Sequence, residues 1–446
     1  MKHLFTLFTT FLIVQYSFGQ YGQIGQTFEE SKVSNSFDTL KVKVGADFGM
    51  QYQNLAQHAD SILVPVGRGF NLPEANLNID AYLARGIRVN LIDYLSSRHH
   101  DLGIVKGGFL QIDRLPLINS PELDKIMDYF TIKVGEMEIN YGDEHFRRTD
   151  NGRLVRNAFI GNYIMDAFTT CPAIEVLFRN NGWLAMAGVG TGTVNQVFSS
   201  QVTIPATKTT PAITTYSSWN VLSQLAAYGK IGYDKQITSD FRIRLTLSGY
   251  HQGKNQGGGY LYGGDRAGSR YYLVMNRPSS VPANDINSGD NFFSGDFPTA
   301  ITYNEDNSYL LSLLLRYKGL EFFGTFESAT GKTANGSASI GISSNGNGLT
   351  GSFNFEQTAV EAIYHFGNLS QFYGGARYDA VKEMDYNLSV DRVQLVLGWY
   401  LTPNIVSKIE YVNQIYNNFF GSWLGSNAYG SSAGFKGIMV EAGISF

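Results

Sequence analysis

Residues 241 to 250 alternate position by position. Phe241, Ile243, Leu245 and Leu247 share one parity, and Arg242, Arg244, Thr246, Ser248 and Tyr250 the other. Successive side chains of a strand leave on opposite faces, so this pattern specifies a strand with one apolar and one polar face. Nearly all of the chain beyond residue 40 divides into such segments. They run Lys41 to Gln51, Ala75 to Leu83, Ile87 to Tyr94, Leu102 to Ile112, Phe130 to Asn140, Ala173 to Arg179, Trp183 to Gly192 and Gln224 to Tyr233. After the Phe241 segment come Tyr309 to Tyr317, Glu321 to Ser328, Phe353 to Phe366, Gln371 to Ala380, Arg392 to Leu401, Ile405 to Tyr416 and Lys436 to Phe446, making sixteen. About ten residues is the length a tilted strand needs to cross a bilayer.

The links between these segments alternate in length. Ala84-Arg85-Gly86, Asn180-Asn181-Gly182, Lys318-Gly319, Gly367-Asn368 and Thr402-Pro403-Asn404 are short turns. Gln53 to Phe70, Tyr141 to Thr170, Thr193 to Ser223, Gln252 to Ser308, Gly331 to Ser352 and Asn417 to Gly434 are long and rich in Gly, Ser and Asn. A soluble sandwich has no reason to segregate links this way. A transmembrane barrel does, with short turns at the periplasmic end and long loops outside. The expected fold is all-β, a transmembrane antiparallel β-barrel of about sixteen strands with long extracellular loops. One longer link, Asp113 to Tyr129, falls on the short-turn side and carries a helical stretch, Pro121 to Met127. Tyr271 to Met275 is expected in a hairpin rising above the barrel. The last segment ends on Phe446 and resembles the terminal strand of Gram-negative outer-membrane barrels. It is expected to pair with Lys41 to Gln51, with Ile438, Val440 and Phe446 toward lipid and Glu441 toward the channel.

Residues 1–19 read as a secretory signal, with Lys2 and His3 before an apolar run and Ser17-Phe18-Gly19 at the cleavage spacing. Residues 20–40 are then a periplasmic lead-in and 41–446 the barrel. A single cysteine, Cys171, excludes an intrachain disulfide framework. The 49 Gly, 27 Tyr and 30 Phe suit a strand-rich chain whose apolar residues alternate instead of clustering. Neither the net charge of −4 nor any basic cluster points to nucleic acid. The location implied is the bacterial outer membrane, with its lipid as the surrounding partner.

Sixteen strands enclose an aqueous channel, and only the polar parity can face it. Arg88, Lys106, Arg179, Arg242, Arg244, Arg316, Arg377, Arg392, Lys408 and Glu441 are the candidate lumen-lining residues, with an excess of bases that favours anions. The plainer reading makes them ordinary hydrated lumen residues, many paired across strands, as Arg377 with Asp379 or Lys408 with Glu410.

The stretch Lys133 to Thr170 is the most distinctive. Lys133-Val134-Gly135 on a strand is followed by Glu138-Ile139-Asn140-Tyr141-Gly142-Asp143 and a loop rich in Arg and Asn. Here the chain resembles the porin O and P family, the phosphate-selective porins and their relatives in Bacteroidetes-like bacteria. The resemblance implies an outer loop folded inward to narrow the channel, with Arg147, Arg148, Arg153 and Arg156 as constriction charges. It implies a homotrimer as well. The family's full arginine ladder and lysine cluster do not map onto this chain, and Asp143, Glu144 and Asp150 dilute the loop's charge.

The function implied is a passive diffusion channel for small hydrophilic solutes, with an anion preference. A partner-binding or structural barrel is the alternative, and a barrel hydrolase a more distant one. His99, His100 and His145 lack an accompanying acid and nucleophile. Gly188-Val189-Gly190-Thr191-Gly192 has no helix after it, and Asp285 to Asp290 lacks the full spacing of a calcium loop. No catalytic residue, metal or cofactor is expected.

Overall fold

The computed structural model describes residues 28–60, 62–66, 68–70, 74–96, 104–118, 120–148, 154–192, 201–207, 209–216, 225–253, 261–262, 271–275, 305–332, 352–384, 388–419 and 430–446. The signal sequence, Arg153, His99, His100 and the segment Asp285 to Asp290 lie outside them.

The barrel strands are β1 Lys41–His58, β2 Glu74–Ala84, β3 Ile87–Ser96, β4 Ile104–Ile112, β5 Phe130–Glu138, β6 Thr170–Asn180, β7 Trp183–Gly190 and β8 Ala226–Gln236. They continue as β9 Phe241–Gln252, β10 Glu305–Tyr317, β11 Leu320–Lys332, β12 Ser352–Phe366, β13 Phe372–Glu383, β14 Leu388–Thr402, β15 Ile405–Phe419 and β16 Gly430–Ser445. Each pairs antiparallel with its sequence neighbour, and β16 returns to β1, so the sheet closes on itself. Closure leaves no unpaired edge, which is what lets a sheet cross a membrane. No helix among the described residues is long and apolar enough to cross one.

The seam carries the largest difference from the sequence expectation. β1 does not stop at Gln51 but runs on to His58. Its first half pairs with β2, from Lys41 opposite Tyr82 to Gly49 opposite Glu74. Its second half pairs with β16, from Asp47 opposite Ser445 to His58 opposite Gly434. The strand spans the stagger between its two neighbours, as barrel shear demands. The polar composition of Gln53 to His58 hides it: Gln53 and Gln57 bond loop segments on the inner face, and the outer face carries Asn54, Ala56 and His58 in place of large apolar residues.

Alternation holds along the strands. In β14 and β9 the outward parity is exposed and the inward parity buried. Leu245, Leu247, Val393, Leu395 and Leu397 stand outward on the lipid face. At the short-turn end Trp183, Tyr317, Tyr364, Trp399 and Phe446 form an exposed aromatic girdle, the side chains suited to a membrane–water boundary. Phe372 stacks between Phe366 and Trp399 along it. The Asn181-Gly182 turn has both residues at positive φ, 49° and 93°, the geometry a two-residue hairpin needs. The helix Pro121–Met127 sits on the same side, capped by Ser120.

Candidate functional site

The wall of the lumen is a lattice of opposed charges. Directly across adjacent strands stand Lys133 and Glu175, Asp234 and Arg244, Arg316 and Glu321, Glu361 and Arg377, Asp379 and Arg392, and Lys408 and Glu441. Opposite charges in direct cross-strand register stabilise a sheet. Arg377 Nε donates to Glu361 at 2.6 Å, and Lys408 Nζ to Glu441 at 2.8 Å. Pairing across strands is thus found, but with Glu361 and Glu441 in place of the expected Asp379 and Glu410, which lie on the same strands as Arg377 and Lys408. Glu441 also accepts from Gln51 Nε2 at 2.7 Å across the barrel seam.

The other candidates are less enclosed. Arg88 donates to Asp80 at 3.2 Å and to Gln111 at 2.7 Å. Arg242 forks onto Asp234 with two bonds of 2.8 Å. Lys106 lies over the Tyr94 and Phe168 rings, at 5.9 and 5.3 Å. Arg179 lines a cavity of about 360 Å³ at the short-turn rim beside Trp183 and Arg244. Arg316 is half-buried. The excess of bases read from the sequence does not hold inside: among the described residues the fully buried charged side chains comprise nine basic and thirteen acidic ones.

The described residues 141–148 and 154–170 turn into the barrel. The chain leaves β5 through Asn140 and Tyr141 and bends at Gly142, whose φ is +67° and whose Cβ, if present, would lie 2.7 Å from Leu310. A short 3-10 turn, Glu144–Arg147, follows. Beyond it, inner-face side chains take hold of the loop backbone. Tyr400 Oη donates to Val155 O and Tyr373 Oη to Ala158 O, each at 3.0 Å. Arg377 donates to Gly161 O at 2.8 Å and Arg392 to Asn162 O at 2.5 Å. Three loop N–H groups donate outward at 2.7 Å: Ile160 to Glu410, Ile164 to Asp379 and Met165 to Gln357. The loop is thus clamped to β12–β15 along its main chain.

Its side chains form their own contacts. Arg147 bridges Glu321 and Glu361, at 2.8 Å to the first, and its guanidinium lies 4.7 Å from the Phe323 ring. Arg148 pairs with Asp166 inside the loop and stacks 4.1 Å over Phe168. Arg156 is exposed and lines a second cavity, of about 500 Å³, with Lys41, Lys43 and Arg88. Tyr163 Oη donates to Glu361 at 3.1 Å, and Arg377 lies between the Phe159 and Tyr163 rings at 4.2 and 4.3 Å. His145 has both ring nitrogens engaged, with Glu138 at 2.8 Å and Asn140 at 3.2 Å.

Two further segments enter the lumen without a sequence signal. Tyr271 to Met275 folds down into the barrel and not above it. Tyr271 is buried, donates to Glu410 at 2.8 Å and accepts from Gln394 at 3.0 Å. Tyr262 joins Tyr141 in donating to Glu327 Oε1, at 2.5 and 2.9 Å. From the other end, the described part of the lead-in contacts the wall. Glu29 takes Arg244 at 2.9 and 2.7 Å, and Glu30 takes Lys133 at 3.0 Å. Val33 N donates to Asp113 at 2.8 Å, and Lys32 Nζ donates to Phe130 O at 2.6 Å. Phe28 lies edge-on to Phe146, 5.6 Å between centroids. The lead-in is locally plain polar coil and is marked by tertiary contact, whereas Tyr271-Tyr272-Leu273-Val274-Met275 is a short apolar run whose direction of folding the sequence does not give.

No family model matches the chain, and no curated protein does. Among solved structures it is similar to the anion-selective porin from Comamonas acidovorans, at 9% identity over 92% of this chain and 100% of that one, with a TM-score of 0.51. Two others are the outer membrane channel DcaP of Acinetobacter baumannii (9% identity, 93% and 100% covered, TM-score 0.48) and OmpT of Vibrio cholerae in trimer form (10%, 92% and 100%, 0.48). At such identity the likeness is one of fold. The chain is a closed, sixteen-stranded antiparallel barrel of the porin type, the architecture of the bacterial outer membrane.

Proposed function

We propose that this barrel is a passive diffusion channel for small hydrophilic solutes, narrowed by residues 141–170 and weakly selective for anions. The observation that carries the reading is the charged lattice running along the inner wall, with an inward loop clamped against it. Charge in a lipid-embedded protein is costly unless it is paired or meets water, and sixteen strands enclose a lumen wide enough to hold both. Energy coupling has no part in it; solutes move down their gradients, sorted by size and by charge.

Arg147 and Arg148 are the constriction residues of this reading, with Arg377 and Arg392 facing them on the wall. Their charges are balanced locally, so the preference for anions is assigned to the short-turn mouth. There Lys32, Lys41, Lys43, Arg88 and Arg156 line one cavity with Glu29, Glu30 and Asp38, and Glu29 and Glu30 are turned onto Arg244 and Lys133. The resemblance of residues 133–170 to the porin O and P family supports both the loop's role and a homotrimer, which blue-native electrophoresis would resolve.

Planar-bilayer recording tests the channel. Discrete conducting steps are expected, with a reversal potential in a salt gradient that favours the anion. Lys41→Glu with Lys43→Glu and Arg156→Glu should move that potential toward cation selectivity. A folded barrel that passes no ions, both as the full chain and as its Glu29→Gln/Glu30→Gln variant, overturns the reading. Such silence would favour the partner-binding or structural barrel, and hydrolysis of lipid or protein would favour the enzyme.

A further inference from the structure

The infolded loop and the lead-in divide the lumen between them. The loop backbone is fixed to β12–β15, whereas residues 28–34 run along the wall of β4, β5, β8 and β9. Starting at the rim, Gly86 N donates to Ser34 O at 3.1 Å, and Gln111 Nε2 donates to Ser31 O at 2.9 Å. Farther in, Glu30 reaches Lys133, and Glu29 reaches Arg244 and Lys230. Phe28 sits 4.0 Å from the Arg244 guanidinium, meets Phe146 of the loop and packs against the Tyr163, Leu314 and Phe323 cluster.

We propose that residues 28–34 form a gating strap: seated, they close the half of the periplasmic mouth that the loop leaves free, and unseated they open it. This rests on the channel reading. The strap has no helix or strand of its own, and apart from the Gly86 N to Ser34 O bond at its tether end it is held mainly through side chains. Its anchoring charges are Glu29, Glu30 and Lys32, the last paired with Asp113. Residues 34–40, which join it to β1, are exposed throughout and form a tether that lets the strap leave without disturbing the barrel. The backbone bond to the barrel, Gly86 N to Ser34 O, lies where the strap meets its tether; farther in, the cations that hold Glu29 and Glu30, Arg244 and Lys133, keep Asp143, Asp234 and Glu175 as partners when the strap leaves.

Single-channel recording of the full chain, with folding checked by heat-modifiable mobility, tests the strap in two directions. Glu29→Gln/Glu30→Gln should raise the open-to-closed ratio by about tenfold, equivalent to ~1.4 kcal/mol. Glu30→Cys/Lys133→Cys in a Cys171→Ala background, bridged by a bis-methanethiosulfonate reagent, should hold the channel closed until a reductant is added. If wild type and the glutamine variant conduct alike, or if bridging leaves conductance unchanged, the strap is a fixed part of the wall and the gate is overturned while the channel stands. Silence in every form removes the channel and the gate together.

Discussion

Glu29 and Asp143 share a single guanidinium. Arg244 donates to Glu29 at 2.9 and 2.7 Å and to Asp143 from Nε and Nη2, both at 2.8 Å. One belongs to the lead-in and the other to the infolded loop, so the two segments that enter the lumen meet on one side chain of β9. A double-mutant cycle of Glu29→Gln and Asp143→Asn should therefore be non-additive, with a coupling of roughly 0.5–3 kcal/mol. Asp143→Asn should be the more damaging single change, because Asp143 also takes Lys230 and Thr246. Additive effects on thermal unfolding would mean that Arg244 serves each carboxylate independently.

The same contact sets a pH dependence. Burial pushes the Glu29 carboxyl up, but Arg244 and Lys230 outweigh it, even with Asp143 close by, and hold the group at about 2 against an ordinary 4.5. An acid depressed on folding contributes stability above its unfolded value and loses it as pH falls through its folded value. A fluorophore at Ser31→Cys, in a Cys171→Ala background, should report a seated lead-in from neutral pH down to 4.5 and release as pH approaches 2. Glu29→Gln should shrink that transition. A wild-type midpoint near 4.5 would sink this account.

Glu361 is the carboxylate on which Arg147, Arg377 and Tyr163 converge. Glu361→Gln keeps the shape but takes the bonded carboxylate from Arg377 and leaves Arg147 with Glu321. Each charged hydrogen bond lost costs roughly 1.5–3 kcal/mol where water cannot replace it. The expected result is a lower unfolding temperature together with a reversal potential shifted toward anions. Stability that falls with selectivity unchanged would place the cluster off the conduction path.

Tyr373 lies across Gly398, directly opposite on β14, and a Cβ there would stand 1.9 Å from its ring. Gly398→Ala must push the ring aside and break its bond to Ala158 O. Tyr373→Phe loses only that bond, about 1 kcal/mol. Limited proteolysis within 154–170 should rise modestly for the phenylalanine variant and steeply for the alanine one. Equal protection in both would show that Tyr373 does not restrain the loop.

Strand number, facing and link order were legible because lipid enforces a strict parity on every crossing segment. Arg244 and Glu441 could be assigned inward from two or three neighbours alone. Pairing partners were less accessible. Asp379 is the partner expected for Arg377, whereas the register set by the Gly367 turn puts it opposite Glu361; counting outward from each short turn would have found such pairs. The end of β1 was hidden because its inner face bonds loop segments and its outer face lacks large apolar residues. The entry of Tyr271 and the lead-in was hidden for a deeper reason. The apolar run Tyr271 to Met275 does not say whether it folds above or into the lumen, and the polar lead-in carries no apolar periodicity at all, so its sequence resembles solvated coil.

The clamps on residues 155–165 seize carbonyls and amides, groups that every residue except proline carries alike. The position of the loop is therefore written largely in the wall, and among its side chains those turned away from the wall, such as the exposed Arg156, are open to exchange. Changes there would retune what passes without repositioning the loop, whereas Phe159 and Tyr163, packed on Arg377, belong to the clamp.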